Sequence, residues 1–564
     1  MEPSGKNTSC PDGAVSTELP AQSSRSASRS GRVASVSFRD EKPGNSGQQC
    51  GVYAATKQPG KQATGNSFLH MGIGSLIALK RAKKEISSHI KGDRHSRVLC
   101  FTPQTELCEP TQAMAPQDTV TVQLSAGPIL ANVEDGLIRA RGIPYAQAER
   151  FQPPQPASGW TTPRDCTRPA TLCPQLPSRL ESVLGPVTRG REHAEDCLHV
   201  TVTAPRDAKD LPVLVWLHGG AFISGGGDLD CYQPLDLARR GIVCVNVSYR
   251  LGVFGYLMIP GIAPANLGLL DQRAALEWVQ ADIAAFGGDP GRVTAAGQSA
   301  GADSIICLLA SEGTEGLLHR AILMSPPLRE ICERAPTAAL LSARAQSLLT
   351  SDPRQMSAAE LLAVQKKLLL DPVRDQVMLF APALGHHPLP DEEGYHARLA
   401  GRLRRTPVVI GCTAHDGRPF ARMMGPLRAS FALPLVGARL EALGTWFVTR
   451  SYFAWPSRRF HEAALRQAGG RSSMYEFRWR PRGSALGASH CVDIPFVLGD
   501  WASWREAPML RGQGEDGGGS EGEVRRLGGQ LKDLWVAFVK GGCLRSEDFV
   551  IDEGFVFSEE DDLA

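Results

Sequence analysis

The run Arg292-Val293-Thr294-Ala295-Ala296-Gly297-Gln298-Ser299-Ala300-Gly301 holds the most chemically pointed spacing in the chain. A β-prone segment ends in Gly-x-Ser-x-Gly, and an apolar stretch with Ile305, Ile306, Leu308 and Leu309 follows. In a strand–turn–helix setting this is a nucleophile elbow, a turn so sharp that only small residues fit two positions either side of the serine. The turn lifts the Ser299 hydroxyl above the sheet and points the Ala300 N–H into the same space. Glycine and serine are common, so partners elsewhere must decide the matter.

A serine hydroxyl is a poor nucleophile at neutral pH. It needs a base, an acid to orient that base, and backbone donors for the developing oxyanion. For the donors, Leu211–Leu217 reads as a strand and His218-Gly219-Gly220-Ala221-Phe222 follows it. Small residues let the backbone approach a substrate, so the Gly220 and Ala221 amides, with Ala300, are the expected oxyanion hole. The same segment also fits a plain glycine turn with a structural His218. Beside the elbow, the oxyanion role is favoured.

When a sheet carries such a site, the acid and then the base follow the serine in chain order, each on a loop after a strand. Pro407-Val408-Val409-Ile410-Gly411 is a buried-strand pattern, and Asp416 lies in the loop after it. His415 stands beside Asp416 on that loop and reads as surface or structural. Met474–Trp479 is the next strand pattern, and a Gly/Ala/Ser-rich loop then reaches His490. His490 is therefore the expected base. His319, His396 and His461 fall on helix-like or charged stretches and read as surface.

These loops need strands to hold them. Val120, Val122 and Leu124 alternate like a strand, with Ile129–Arg139 as its hairpin partner. Further strand-like runs occur at Ile242–Val247, Val293–Ala296 and Ala321–Met324. Helix-like stretches separate them, including Asp271–Phe286 and Ala338–Leu349. Buried strands alternating with helices imply an α/β fold with a mostly parallel central sheet flanked by helices.

The chain of 564 residues suits one large catalytic domain with extensions. Its composition is ordinary for a globular protein, and a formal charge of +2 gives no electrostatic case for nucleic acid. Fourteen cysteines in so long a chain do not form a disulfide scaffold, and no close CxxC or Cys/His cluster points to a metal. No apolar run approaches the ~20 residues that span a bilayer. No signal peptide is visible at the start, so an intracellular, cytoplasmic protein is expected, with secretion the alternative. Asn7-Thr8-Ser9 and Asn246-Val247-Ser248 fit the glycosylation pattern, but one lies in the tail and the other in a strand.

Residues 1–115 are rich in Ser, Gly, Lys and Gln and read as a disordered extension. Within them, residues 75–91 could form a basic amphipathic helix touching a membrane surface or a regulator, or simply part of a solvated tail. The folded domain is expected over 116–545, Gly512–Glu523 as a flexible loop, and 546–564 as an acidic tail.

From about Thr119 to Lys540 the chain resembles the type-B carboxylesterases, α/β hydrolases that include cholinesterases and bacterial and fungal esterases. The resemblance rests on Gly142-Ile143-Pro144-Tyr145-Ala146, Arg150-Phe151-Gln152-Pro153-Pro154, Glu195-Asp196-Cys197-Leu198 and Asn266-Leu267-Gly268-Leu269-Leu270-Asp271-Gln272. It extends through Phe286-Gly287-Gly288-Asp289-Pro290 into the elbow. It implies Ser299 as nucleophile, His490 as general base, Asp416 as orienting acid, and Gly220, Ala221 and Ala300 as oxyanion donors. Three departures stand out: Asp416 where the family usually has Glu, Ala221 for a frequent third glycine, and a shorter segment between Met324 and Pro407. Cys173 and Cys197 resemble the family's first disulfide pair. Closing that loop stabilises by roughly 3–4 kcal/mol in the chain-entropy model, and two free buried thiols are the alternative in a reducing compartment.

The resemblance implies hydrolysis of a small-molecule carboxylic ester with no metal or organic cofactor. The segment between Cys173 and Cys197 has no aromatic residue to hold a quaternary ammonium, so uncharged aliphatic or aryl esters are expected rather than choline esters. Two alternatives remain. One is a non-catalytic interaction protein on the same fold. The other is a thioesterase, amidase or carbamate hydrolase using the same triad.

Overall fold

The computed structural model describes residues 118–370, 378–467, 469–512, 520–542, 544, 549–552 and 555–557. The N-terminal extension, its basic segment 75–91, most of the Gly-rich loop and the last acidic residues lie outside the described residues.

Twelve strands form one continuous path. They are β1 (Thr119–Gln123), β2 (Pro128–Glu134), β3 (Leu137–Pro144), β4 (His199–Pro205), β5 (Leu211–Leu217) and β6 (Val243–Val247). Then come β7 (Gly288–Gln298), β8 (Arg320–Met324), β9 (Val408–Thr413), β10 (Ser472–Phe477), β11 (Phe549–Ile551) and β12 (Phe555–Phe557). Their spatial order is β1-β2-β3-β4-β6-β5-β7-β8-β9-β10-β11-β12, and a short strand at Arg164–Asp165 pairs with β2. From β6 through β11 every neighbouring pair is parallel.

Parallel strands covered on both faces need apolar side chains on both. Accordingly every residue of β6 and β9 is buried, as are six of the seven in β5. β1, at the antiparallel edge, alternates exposed positions with the half-buried Val120 and the buried Val122 instead. Helix α1 (Leu267–Asp282) and helix α2 (Ala300–Ala310) follow the same logic. All eleven residues of α2 are buried, so it is apolar all round rather than striped.

Two buried ion pairs tie these helices to their surroundings. Arg250 grips Asp271 of α1 with Nε at 2.8 Å and Nη2 at 2.6 Å. Arg334 grips Asp303 of α2 at 2.6 Å. Desolvation consumes most of what such pairs gain, so their effect is to specify one docking position.

The structure corrects several boundaries. Ile129–Arg139 is not one strand but parts of β2 and β3, broken at Asp135-Gly136, where both residues take positive φ. Two strands beyond residue 545 join the sheet, so the folded part runs past the expected limit. The loop expected to reach Glu523 ends sooner, because Ser520 caps a helix that starts at Glu521. His461 is buried rather than on the surface, with Nδ1 2.8 Å from Ser472 Oγ.

Glycine positions separate packing from chance. A Cβ on Gly301 would lie 1.9 Å from the Leu217 carbonyl oxygen, whereas one on Gly529 would meet nothing within 4 Å. Gly529 lies inside the helix Glu521–Gly541, where glycine costs about 0.5–1 kcal/mol relative to alanine. Gly529→Ala is therefore expected to raise stability by about that much, and Gly301→Ala to lower it by about 1–3 kcal/mol or more. Urea unfolding midpoints of the two variants check this contrast, and equal behaviour would refute it.

Candidate active site

Strand register brings the chemistry to one edge of the sheet. Gly297 pairs with Leu217 and Leu323, Met324 with Gly411, and Gly411 with Tyr475. The C-terminal ends of β5, β7, β8, β9 and β10 thus lie side by side, and all but β8 are followed by a loop that carries a candidate residue.

Ser299 sits between β7 and α2 at φ 56°, ψ −121°, a backbone conformation that side chains rarely adopt. Its N–H donates to the Met324 carbonyl at 2.8 Å. A Cβ on Gly297 would come within 2.6 Å of the Gly301 carbonyl carbon, so the two glycines let strand and helix close on each other. Ser299 is 5% exposed.

Asp416 and His490 are both fully buried, and His490 Nδ1 donates to Asp416 Oδ1 at 2.7 Å. The other carboxylate oxygen accepts from the Ser325 hydroxyl and the Thr413 N–H, each at 2.9 Å. With its proton held on Nδ1, the imidazole presents a lone pair at Nε2. That nitrogen lies 3.1 Å from Gln298 Nε2, an amide that can donate to it. Ser299 Oγ makes no hydrogen bond among the described residues. His490 is also walled by Phe420 and Phe453, with ring centroids 5.0 and 5.1 Å away.

His415 stitches the two loops together. Its N–H donates to the Ala488 carbonyl at 2.8 Å, and its Nδ1 accepts from the Ala488 N–H at 3.2 Å. Burial, then the charge of Arg418, pushes its pKa down to about 4, so the ring stays neutral and available as an acceptor.

The oxyanion candidates lie on a tight turn after β5. Gly220 has φ 115°, and Ala221 takes φ 55°. A Cβ on Gly220 would sit 2.0 Å from the Ser224 carbonyl, so that position admits only glycine. The N–H groups of Gly220, Ala221 and Ala300 have no hydrogen-bond partner among the described residues. Ala300 begins α2, where the first amides point outward unpaired. His218 packs behind this turn against Tyr249, ring centroids 4.4 Å apart, and burial lowers its pKa to about 4. That is a structural role.

Gly220, Ala221 and Ser299 open onto one pocket, with Ile223, Met378, Phe420 and Phe453 among its apolar walls. Its free volume is only about 20 Å³, room for about one water. Among the described residues, Arg179 is its only charged lining residue. Among the described residues no cluster of His, Cys, Asp or Glu could hold a metal ion.

Cys173 and Cys197 are buried free thiols lying against each other. A hydrogen bond from Cys173, then burial, raises the Cys197 thiol well above its usual range. Asn246 is also buried, donating to the Gly227 and Tyr232 carbonyls at 3.1 and 2.9 Å, so it offers no glycosylation site in the folded chain.

Sequence reasoning missed Ser325, Gln298, Phe420, Phe453 and Asp493. Ser325 could have been found, since it stands directly after a strand and before Pro326. The aromatic walls carry no local signal. Phe453 comes from a π-helical turn, Thr449–Ala454, between helix α3 (Gly437–Val448) and helix α4 (Trp455–Leu465).

A sequence model described as the carboxylesterase family matches residues 119–431. A probable N-octanoylanthranilate hydrolase of Rhodococcus erythropolis is 39% identical over 414 residues, 71% of this chain and 88% of that protein. The para-nitrobenzyl esterase of Bacillus subtilis (strain 168) is 34% identical over 447 residues, 74% of this chain and 88% of its own. Among solved structures, a thermophilic PNB esterase matches with a TM-score of 0.66 at 28% identity, covering 78% of this chain and 98% of that one.

Asp493 supplies a test of the site's electrostatics. Fully buried, it accepts from the Tyr475 hydroxyl at 3.1 Å, and its other oxygen has no partner among the described residues. Burial, then the nearby Asp416 charge, pushes its pKa from 3.8 up to about 7. A carboxyl raised in the folded state favours folding while protonated, and that contribution is lost as pH climbs from about 4 to about 7. Asp493→Asn cannot ionise. Its melting temperature relative to the parent is therefore expected to rise by several degrees between pH 5 and pH 8; a pH-independent difference would refute a protonated Asp493.

Proposed function

The chain belongs to the carboxylesterase family and is a carboxylic ester hydrolase, and from that premise we propose that it cleaves uncharged aliphatic or aryl esters through an acyl-enzyme on Ser299. The observation that carries this reading is the bond from His490 to Asp416, which leaves Nε2 as a lone pair beside the elbow.

In this mechanism an ester carbonyl enters above Ser299 and displaces the Gln298 amide from His490. Ser299 Oγ attacks the carbonyl carbon while its proton passes to His490 Nε2. The oxyanion gathers the N–H groups of Gly220, Ala221 and Ala300, donors already fixed before reaction and so needing no reorganisation. The C–O bond to the alcohol breaks, and His490 returns its proton to the leaving oxygen. Water then adds to the acyl carbon with His490 as base, which releases the acid and restores Ser299. Asp416 holds the imidazole in the required tautomer throughout.

The pocket walls support an uncharged acyl or aryl group, since all but one of its side chains are neutral. Its small free volume means that a substrate must displace side chains, Met378 and Met423 being the pliable ones. Arg179 favours a second reading, an amide or ester bearing a carboxylate, in keeping with the name of the Rhodococcus relative.

A fluorophosphonate probe is expected to label the protein, and Ser299→Ala to abolish labelling. Asp416→Asn should keep the fold and lower kcat by about 10⁴-fold. A folded parent that does not label would instead favour a non-catalytic interaction protein. Specificity is checked by comparing kcat/KM for p-nitrophenyl butyrate, butyrylcholine and N-octanoylanthranilate. The first should lead; a preference for the third that collapses in Arg179→Gln would establish the second reading.

A further inference from the structure

The loop that carries Asp416 also borders a second cleft, and this one is large. It encloses about 580 Å³, against about 20 Å³ over Ser299. Pockets that hold small organic ligands run from about 300 to 1,000 Å³. Its floor includes Cys412 and Ala414 of the strand and loop leading to Asp416, and its far wall comes from the end of α3, the π turn and the start of α4.

Two kinds of group dominate this wall. Trp446 and Trp455 line it with 56% and 55% of their surface exposed, an unusual state for large aromatic residues. Arg450 and Arg458 stand among them. Neither makes an ion pair among the described residues. Arg450 lies over the Trp446 ring, 5.8 Å from its centroid. Arg458 acts electrostatically on Cys412 at the floor.

The remaining titratable groups leave the cleft positive. Arg418 adds a third guanidinium, 3.7 Å from Glu441. His415 is neutral, its pKa held near 4. Among the described residues Glu476 is the one carboxylate in the lining, and Arg478 takes it at 2.7–2.8 Å. Among the described residues, Arg450 and Arg458 therefore keep uncompensated charge beside flat, solvent-exposed indoles.

We propose that this cleft binds a small aromatic anion, its acid group held between Arg450 and Arg458 and its ring against Trp446 and Trp455. The guanidinium plane suits an acid group through paired N–H donors, and indole faces suit a flat ring. A neutral ring would gain only the second of these contacts. An aliphatic anion would gain only the first.

The test uses the full chain and 8-anilinonaphthalene-1-sulfonate, followed by fluorescence titration. One equivalent is expected to bind, with affinity at least tenfold weaker in R450A/R458A and also weakened in Trp446→Ala. R450K/R458K should recover part of the affinity, because it restores charge without the planar fork. The uncharged analogue N-phenyl-1-naphthylamine should bind more weakly and be indifferent to the arginine changes. Each variant should hydrolyse p-nitrophenyl butyrate like the parent, which verifies its fold without involving the cleft. Unchanged sulfonate affinity in R450A/R458A would overturn the proposal, as would equal binding of the uncharged analogue. Affinity that rises tenfold on removal of residues 558–564, which include Glu559, Glu560, Asp561 and Asp562, would also overturn it by giving the cleft to the chain's own acidic end.

Discussion

The contact between Asp416 and His490 is the constraint around which the C-terminal edge of the sheet is arranged. A fully buried carboxylate is costly unless every lone pair finds a donor. Here the donors come from three separate segments: Ser325 after β8, Thr413 at the end of β9, and His490 beyond β10. Each segment must reach the same two oxygen atoms. A slip in register between β8, β9 and β10 would remove at least one of these three donors, so the carboxylate selects one alignment of the strands. The bridge between His415 and Ser489 closes the arrangement by joining the loops themselves.

The elbow works in the opposite sense, by storing strain rather than satisfying a need. Ser299 holds a positive φ because its N–H is tied to Met324 and α2 is clamped on the strand end through Gly297 and Gly301. The buried ion pair between Arg334 and Asp303 holds α2 in place from its other side. Strain persists only where the surroundings over-determine it. Buried polar groups beside the elbow, Asp303 above all, thus restrain a helix that would otherwise relax.

Most of the fold was legible because buried parallel strands announce themselves as unbroken apolar runs, as in Leu211–Leu217 and Val408–Ile410. The positions of Ser299 and Asp416 were legible for a related reason, since each follows such a run closely, whereas His490 was reached only through chain order and a long loop after β10. What stayed hidden depends on contacts between distant segments. Gln298 gave no sign that its amide would meet His490, 192 residues away. Phe420 and Phe453 look like any core aromatics until the helices are packed. His461 misled because its stretch is charged, while it lies on the buried face of its helix with Ser457, Phe460 and Ala464 and turns its ring to Ser472. The break at Asp135-Gly136 was readable turn chemistry, obscured by apolar residues on both sides.

The π turn between α3 and α4 has a consequence for how this pocket changes over generations. Such a turn accommodates one residue more than the α-helix needs, and the surplus presents Phe453 to His490 while Arg450 faces the opposite cleft. Losing one codon within 449–454 would let the segment relax into ordinary α-helix, and everything on one side of the cut would rotate by about 100° about the rod. Both walls would be rewritten together. The aromatic lining beside His490 thus depends on the length of this segment as well as on its residues, and one deletion would alter it in a way that no point substitution offers.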